Sequence, residues 1–182
     1  KTMDKGKITE RLGKELIKKC SLLRNSAEAF QDNKFIDMQL PFLQFANKTN
    51  LDKIRFLPVL VGNASYEELY TFADIISDLP KNICVIASTN LTYYGKRYGS
   101  VPFVHGIKQN IKLRDEQMLR CISAIDVKGF LAASQQRNVP DKEVIVLFLE
   151  IMKGFGHRNG RLVSYYTSGD IEGYESAVSF GS

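Results

Sequence analysis

The sequence has no tryptophan, two histidines and three cysteines among its 182 residues. The cysteines, Cys20, Cys84 and Cys121, are odd in number and widely spaced, and no CxxC pair occurs. A disulfide framework is therefore not indicated, and a reducing cytosol fits best. Cys84 falls in an apolar strand-like run and Cys121 in an amphipathic helix, so both read as small core residues. The histidines, His105 in VPFVHGI and His157 in GFGHRNG, stand in separate loops with no carboxylate at a short ligand spacing. Such a pair makes a poor intrinsic metal site. No apolar run approaches the ~20 residues of a membrane span, and no signal peptide is visible, so no membrane partner is expected. Neither a G-x-S-x-G elbow nor a G-x-x-x-x-G-K-[ST] loop occurs, which argues against an α/β-hydrolase or a P-loop enzyme. GFGHRNG (154–160) has three glycines, but it follows a helix and precedes a strand, so it reads as a C-cap and turn.

What is present is ordinary for a globular protein: 44% hydrophobic and 25% charged residues. The net charge of +5 is spread along the chain, and its densest cluster, KELIKKC (14–20), reads as the wet face of a helix. Nucleic acid is not expected on that basis. The length suggests one α/β domain over 1–182. The first residue is Lys1, so the chain is expected to be a processed, truncated or partly ordered piece of something longer.

Periodicity divides the chain into alternating elements, with no repeat or low-complexity linker. ITERLGKELIKKC (8–20) puts Ile8, Leu12, Leu16, Ile17 and Cys20 on one helical stripe. NSAEAFQDNK (25–34) reads as a loop, and FIDMQLPFLQFA (35–46) as a short helix that tolerates Pro41. IRFLPVLVG (54–62) and NICVIAST (82–89) are continuous apolar runs, as in strands covered on both faces. Between them, Ser65 and Glu68 form a capping box that opens a helix to about Asp78. RDEQMLRCISAI (114–125), DVKGFLAASQQ (126–136) with Asp126 as N-cap, and VPDKEVIVLFLEIMKG (139–154) read as helices. RLVSYYTSGD (161–170) and SAVSFGS (176–182) read as two strands joined by a turn. The pattern predicts an α/β layered sandwich with a central, mostly parallel or mixed sheet flanked by helices.

The stretch ASTNLTYYGKRYG (87–99) follows the apolar run ICVIA (83–87) and looks like a loop aimed at a ligand crevice. It contains no histidine, cysteine or carboxylate. Asn90 is a neutral amide, able to orient a ligand or close a turn but not to act as a general base. Tyr93 and Tyr94 offer phenols with pKa near ~10, suited to hydrogen bonding or to packing. Arg97 beside them fits either an anion such as phosphate or carboxylate, or a surface salt bridge.

Five stretches in order resemble the MEMO family, related in fold to the class III extradiol dioxygenases. KGKITERLGKELIKK (5–19) is similar to the segment after the family's T-P-L-G turn. DMQLPFLQ (37–44) is similar to its E-M-Q-L-P-F-L segment, and FLPVLVG (56–62) to its P-I-L-V-G strand. ASTNLTYYGKRYG is similar to S-S-D-x-x-H-W/Y-G-x-R-F. SYYTSGDI with ESAVSFGS (164–182) is similar to its closing strands. The resemblance implies a non-haem metal held by two histidines from N-terminal motifs and one cysteine from a late C-G motif. The N-terminal motifs have no counterpart in this sequence.

The departures from the family pattern are systematic. Its loop aspartate and histidine correspond to Asn90 and Tyr93. Its A-H-x-x-E-H-S-I-E pattern meets AFQDNKFID (29–37), with Phe30, Asn33 and Lys34 at the histidine, glutamate and histidine positions. Its cysteine falls at or near Gln136. The expectation is a non-catalytic MEMO-like binding protein with no cofactor. Its degenerate crevice would be lined by Asn90, Tyr93, Tyr94 and Arg97, with Phe30 and Lys34 opposite. A phosphorylated or acidic peptide of a protein partner is the expected ligand, because the resemblance points to phosphotyrosine-peptide binding. Two alternatives stay open. One is a metal-dependent redox enzyme in which an N-terminal segment supplies histidines for iron or copper, with Gln136 or Tyr93 as an altered ligand. The other is a structural interaction subunit.

Overall fold

The structure is a computed structural model that describes residues 10–31, 34–50, 53–79, 82–135, 137 and 139–182. The chain forms two compact units, Lys1–Val61 and Gly62–Ser182.

The first unit is helical. Helix α1 (Glu10–Lys19) carries an acidic first turn and a basic last turn, which complement its dipole. It buries Leu16, and Cys20 just beyond it is also buried, whereas Ile17 is exposed. Ile8 lies outside the described residues. The 25–34 stretch holds a short helix, α2 (Ala27–Gln31), rather than a continuous loop. Ser26 starts it, its hydroxyl accepting from the Ala29 amide at 3.2 Å. Helix α3 (Lys34–Ala46) runs through Pro41.

The second unit holds the main core. Ser65 and Glu68 cap helix α4 (Tyr66–Ser77) reciprocally: the Glu68 amide donates to Ser65 Oγ, and the Ser65 amide to Glu68 Oε2. Strand β1 (Tyr93–Gly95) is followed by a 3₁₀ turn, Lys96–Tyr98. Helix α5 (Ile107–Ser123) starts seven residues before the 114–125 stretch whose periodicity indicated a helix. Helix α6 (Val127–Ser134) begins at the expected cap, Asp126 Oδ1 accepting from the Gly129 amide at 2.9 Å. Helix α7 (Lys142–Gly154) packs against α4 and stops at Gly154, where a Cβ would overlap Ser77. Strand β2 (Tyr165–Thr167), the single helical turn α8 (Gly169–Glu172) and strand β3 (Ser176–Gly181) complete the chain.

The three strands form an antiparallel sheet in the order β1-β3-β2. Tyr93 faces Val178, and Tyr166 faces Phe180 with their rings stacked at 5.0 Å. Phe130, Ile111, Met118, Leu149 and Val146 fill the interior. Each such side chain contributes about 1.5–3 kcal/mol through burial.

Two strand expectations need correction. Among the described residues, neither 54–62 nor 82–89 forms a ladder. An apolar run specifies removal from water, whereas a strand also requires a partner backbone along its length. Val59 and Ile86 are exposed, and so is Cys84, which is not a core residue. Cys121 is half-buried in α5. Among the described residues no helix is long and apolar enough to cross a membrane.

Candidate functional site

The 87–99 stretch is tied to β3 before it reaches its polar tip. The Leu91 amide donates to Ser179 O and the Ser179 amide to Thr92 O, both at 3.0 Å. Gly95 sits at φ 118°, and a Cβ there would come within 2.5 Å of Glu175 O and Ser176 Oγ. Only glycine allows this approach of β1 to β3. Gly95 and Ser100 then exchange two backbone hydrogen bonds, and Gly99 turns the chain in the left-handed region. The loop between them is a closed tip that carries Lys96 and Arg97 into solvent.

The strand's period of two separates the tyrosines. Tyr94 is buried; its ring stacks on Phe103 at 5.0 Å and its hydroxyl donates to Phe103 O at 2.7 Å. It is a core residue rather than a crevice residue. Tyr93 is half-buried and packs edge-on against Tyr98 at 4.7 Å. Asn90 Nδ2 donates to the Tyr93 hydroxyl at 2.6 Å. Arg97 lies over the other partner, its Cζ 5.8 Å from the Tyr98 ring centroid. Among the described residues Arg97 and Lys96 form no ion pair. Asn90, Tyr93 and Arg97 thus share one aromatic-backed face in the second unit. Phe30, half-buried in α2, and Lys34, the first residue of α3, belong to the first unit, and Gln136 lies outside the described residues.

Grooves dent the second unit elsewhere. One, about 420 Å³, is lined by Glu116, Leu119, Arg120, Ser123, Ala124 and Leu162. The other, about 240 Å³, is lined by Arg114, Gln117, Ala132, Ala133, Gln135 and Arg137. Neither has Asn90, Tyr93 or Arg97 in its wall.

A buried polar cluster stands behind the loop. Asp115 on α5 is fully buried. Its Oδ1 accepts from Thr92 Oγ1 at 2.6 Å and its Oδ2 from the Tyr165 hydroxyl at 2.7 Å. Burial pushes the Asp115 carboxyl above its ordinary range, while the hydroxyls of Ser179, Thr92 and Tyr165 pull it back. Burial and the Asp115 carboxyl together push the Tyr165 phenol up. One carboxyl therefore joins α5, the loop and β2. The signal for it lies in the sequence: Asp115 interrupts the apolar stripe of Ile111, Met118 and Leu119 on α5, and a carboxylate in such a stripe needs partners.

The ligand positions that the family resemblance implies fall in N-terminal motifs without a counterpart in this sequence and at Gln136, outside the described residues. Among the described residues no three His, Cys, Asp or Glu side chains cluster as ligands. The aligned positions 90 and 93 carry an amide and a phenol bonded to each other.

Comparison with known proteins agrees with the motif reading. The family model of the Memo-like proteins matches residues 5–182. The chain is 28% identical to a MEMO1 family protein of Methanopyrus kandleri over 173 residues, covering 90% of this chain and 55% of that protein. It is 27% identical to a MEMO1 family protein of Methanocaldococcus jannaschii, covering 94% of this chain and 58% of that protein. With a MEMO1 family protein of Pyrococcus abyssi it shares 30% identity over 135 residues, 70% of this chain and 46% of the relative. The chain thus spans about half the length of the curated relatives it matches. With the family model matching nearly end to end and its motifs in order, the chain belongs to the Memo-like protein family.

Proposed function

We propose that this family member works by binding rather than catalysis, and that its Asn90–Tyr93–Arg97 face receives an acidic or phosphorylated peptide from a protein partner. The observation that carries this reading is the 2.6 Å hydrogen bond from Asn90 to the Tyr93 hydroxyl. Where the family pattern has an aspartate and a histidine, an amide and a phenol satisfy each other. Arg97 supplies the positive charge beside them, and the Tyr98 ring beneath it limits the freedom it loses on binding. We read the whole protein as a degenerate relative of the layered extradiol-dioxygenase fold. We place it in the cytosol, where Cys20, Cys84 and Cys121 stay reduced.

The test is calorimetric titration of the full chain with a tyrosine-phosphorylated peptide and its unphosphorylated form. Arg97→Ala is expected to weaken the phosphorylated form by about tenfold or more, the effect of losing a charge-assisted hydrogen bond. Equal affinities in wild type and variant would overturn the anion role of Arg97. Near-stoichiometric iron or copper after metal loading would overturn the non-catalytic reading.

A further inference from the structure

The smaller groove holds two arginines and no paired carboxylate. Arg114 projects from α5 and Arg137 follows α6; both line the 240 Å³ groove with Gln117, Ala132, Ala133 and Gln135. Arg137 is pinned: its Nη1 donates to Arg114 O at 2.9 Å and its Nη2 to Gln117 Oε1 at 2.6 Å. A guanidinium has five N–H donors, and among the described residues two of those of Arg137 are taken by these bonds. Arg114 is held over the Phe103 ring, its Cζ 5.2 Å from the centroid. Among the described residues neither arginine is in an ion pair. The Asp115 charge favours the protonated form of Arg137, and the Asp115 oxygens accept from Thr92 and Tyr165. Burial lowers the proton affinity of Arg137, and the Arg114 charge lowers it further. Both arginines line one groove, and the Arg114 charge acts against that of Arg137, a cost that a bound anion would offset.

We propose that this groove is a binding site for a small oxyanion, the phosphate or carboxylate group of a small molecule, held between Arg114 and Arg137. The site is separate from the Asn90–Tyr93–Arg97 face and does not rest on the peptide-binding reading. Its volume suits a headgroup and little more, below the range of drug-sized pockets. The planar forks of two arginines favour a trigonal or tetrahedral oxyanion over a halide.

The experiment titrates the full chain with inorganic phosphate, acetate and chloride at constant ionic strength, followed by calorimetry and by the melting temperature. Phosphate or acetate is expected to bind and raise the melting temperature, and chloride not; the stronger of the two identifies the headgroup. Arg114→Gln is expected to weaken that anion about tenfold or more, and Arg137→Lys, which keeps the charge but loses the fork, by a smaller factor. Arg120→Gln, in the wall of the larger groove, is expected to leave this affinity unchanged. Arg114→Gln removes a surface-facing cation and is expected to melt no lower than wild type at low salt without ligand, because the like-charge contact is gone. Undiminished phosphate and acetate affinity in a folded Arg114→Gln chain would overturn the proposal. So would the absence of any anion-specific stabilisation of wild type, or an Arg120→Gln loss as large as that of Arg114→Gln.

Discussion

The two units were built from similar helical material and reached different ends. In the second, the apolar stripes of α5, α6 and α7 disappear into a core with Met118 and Phe130 at 0% exposure. In the first, α3 repeats Phe35, Met38, Phe42 and Phe45 at helical spacing, yet Phe42 is 72% and Phe45 76% exposed. Leu16 and Cys20 are its buried apolar residues among those described. Amphipathic periodicity makes a helix in both cases. What differs is whether another element covers the stripe, and no residue within the helix decides that.

The sharpest way to break the comparison is to truncate one aromatic in each unit. Phe130→Ala is expected to cost about 3–5 kcal/mol in urea unfolding, because it empties a fully buried site. Phe42→Ala is expected to stay within about 0.5 kcal/mol of wild type. A large loss at Phe42 would mean that the α3 stripe is covered in solution.

The next largest effect concerns the buried carboxyl that braces the second unit. Asp115→Ala leaves the Thr92 and Tyr165 hydroxyls without an acceptor and is expected to cost about 2–4 kcal/mol. Its pH dependence has a definite sign. Folding raises the Asp115 pKa, so its contribution is fully favourable below the unfolded value of about 4 and is lost as pH rises through the folded value. Asp170 behaves oppositely. Hydrogen bonds from Lys108 first, then Tyr174 and Thr167, hold it well below the usual carboxylate range. Its contribution is present above about pH 4 and is lost as pH falls. Melting curves from pH 3 to 7 should therefore lose their acid-side decline in Asp170→Asn. In Asp115→Asn they should lose their decline above about pH 4.

A smaller effect tests local rather than tertiary order. Ser65→Ala removes the acceptor of the Glu68 amide and is expected to cost about 1 kcal/mol, read by urea unfolding. Smallest is the Arg11–Glu15 pair on α1 at 3.1 Å, with side chains 91% and 53% exposed. A double-mutant cycle there is expected to give about 0.3–0.5 kcal/mol, falling with salt.

These contrasts separate what could be read locally from what could not. The α4 capping box, the Asp126 cap and the Gly154 stop are short-range devices, and each stands where the residues indicate. The helix α2 escaped notice because five residues carry almost no periodicity. The strand readings at 54–62 and 82–89 failed for a different reason: pairing depends on residues far away in the chain. At the site, the order Asn90–Tyr93–Arg97 was visible, but the inward turn of Tyr94 depended on the register of β1 against β3. Asp115 and its hydroxyl partners were missed because Thr92 and Tyr165 lie 23 and 50 residues away.

Residue order fixed the family and the long helices, because motifs and caps act within a few residues. Packing decided which tyrosine meets solvent, which carboxyl is buried, and that Arg114 and Arg137 share a groove. Those outcomes depend on contacts between distant segments, and their free energy exists only once the core has closed around them.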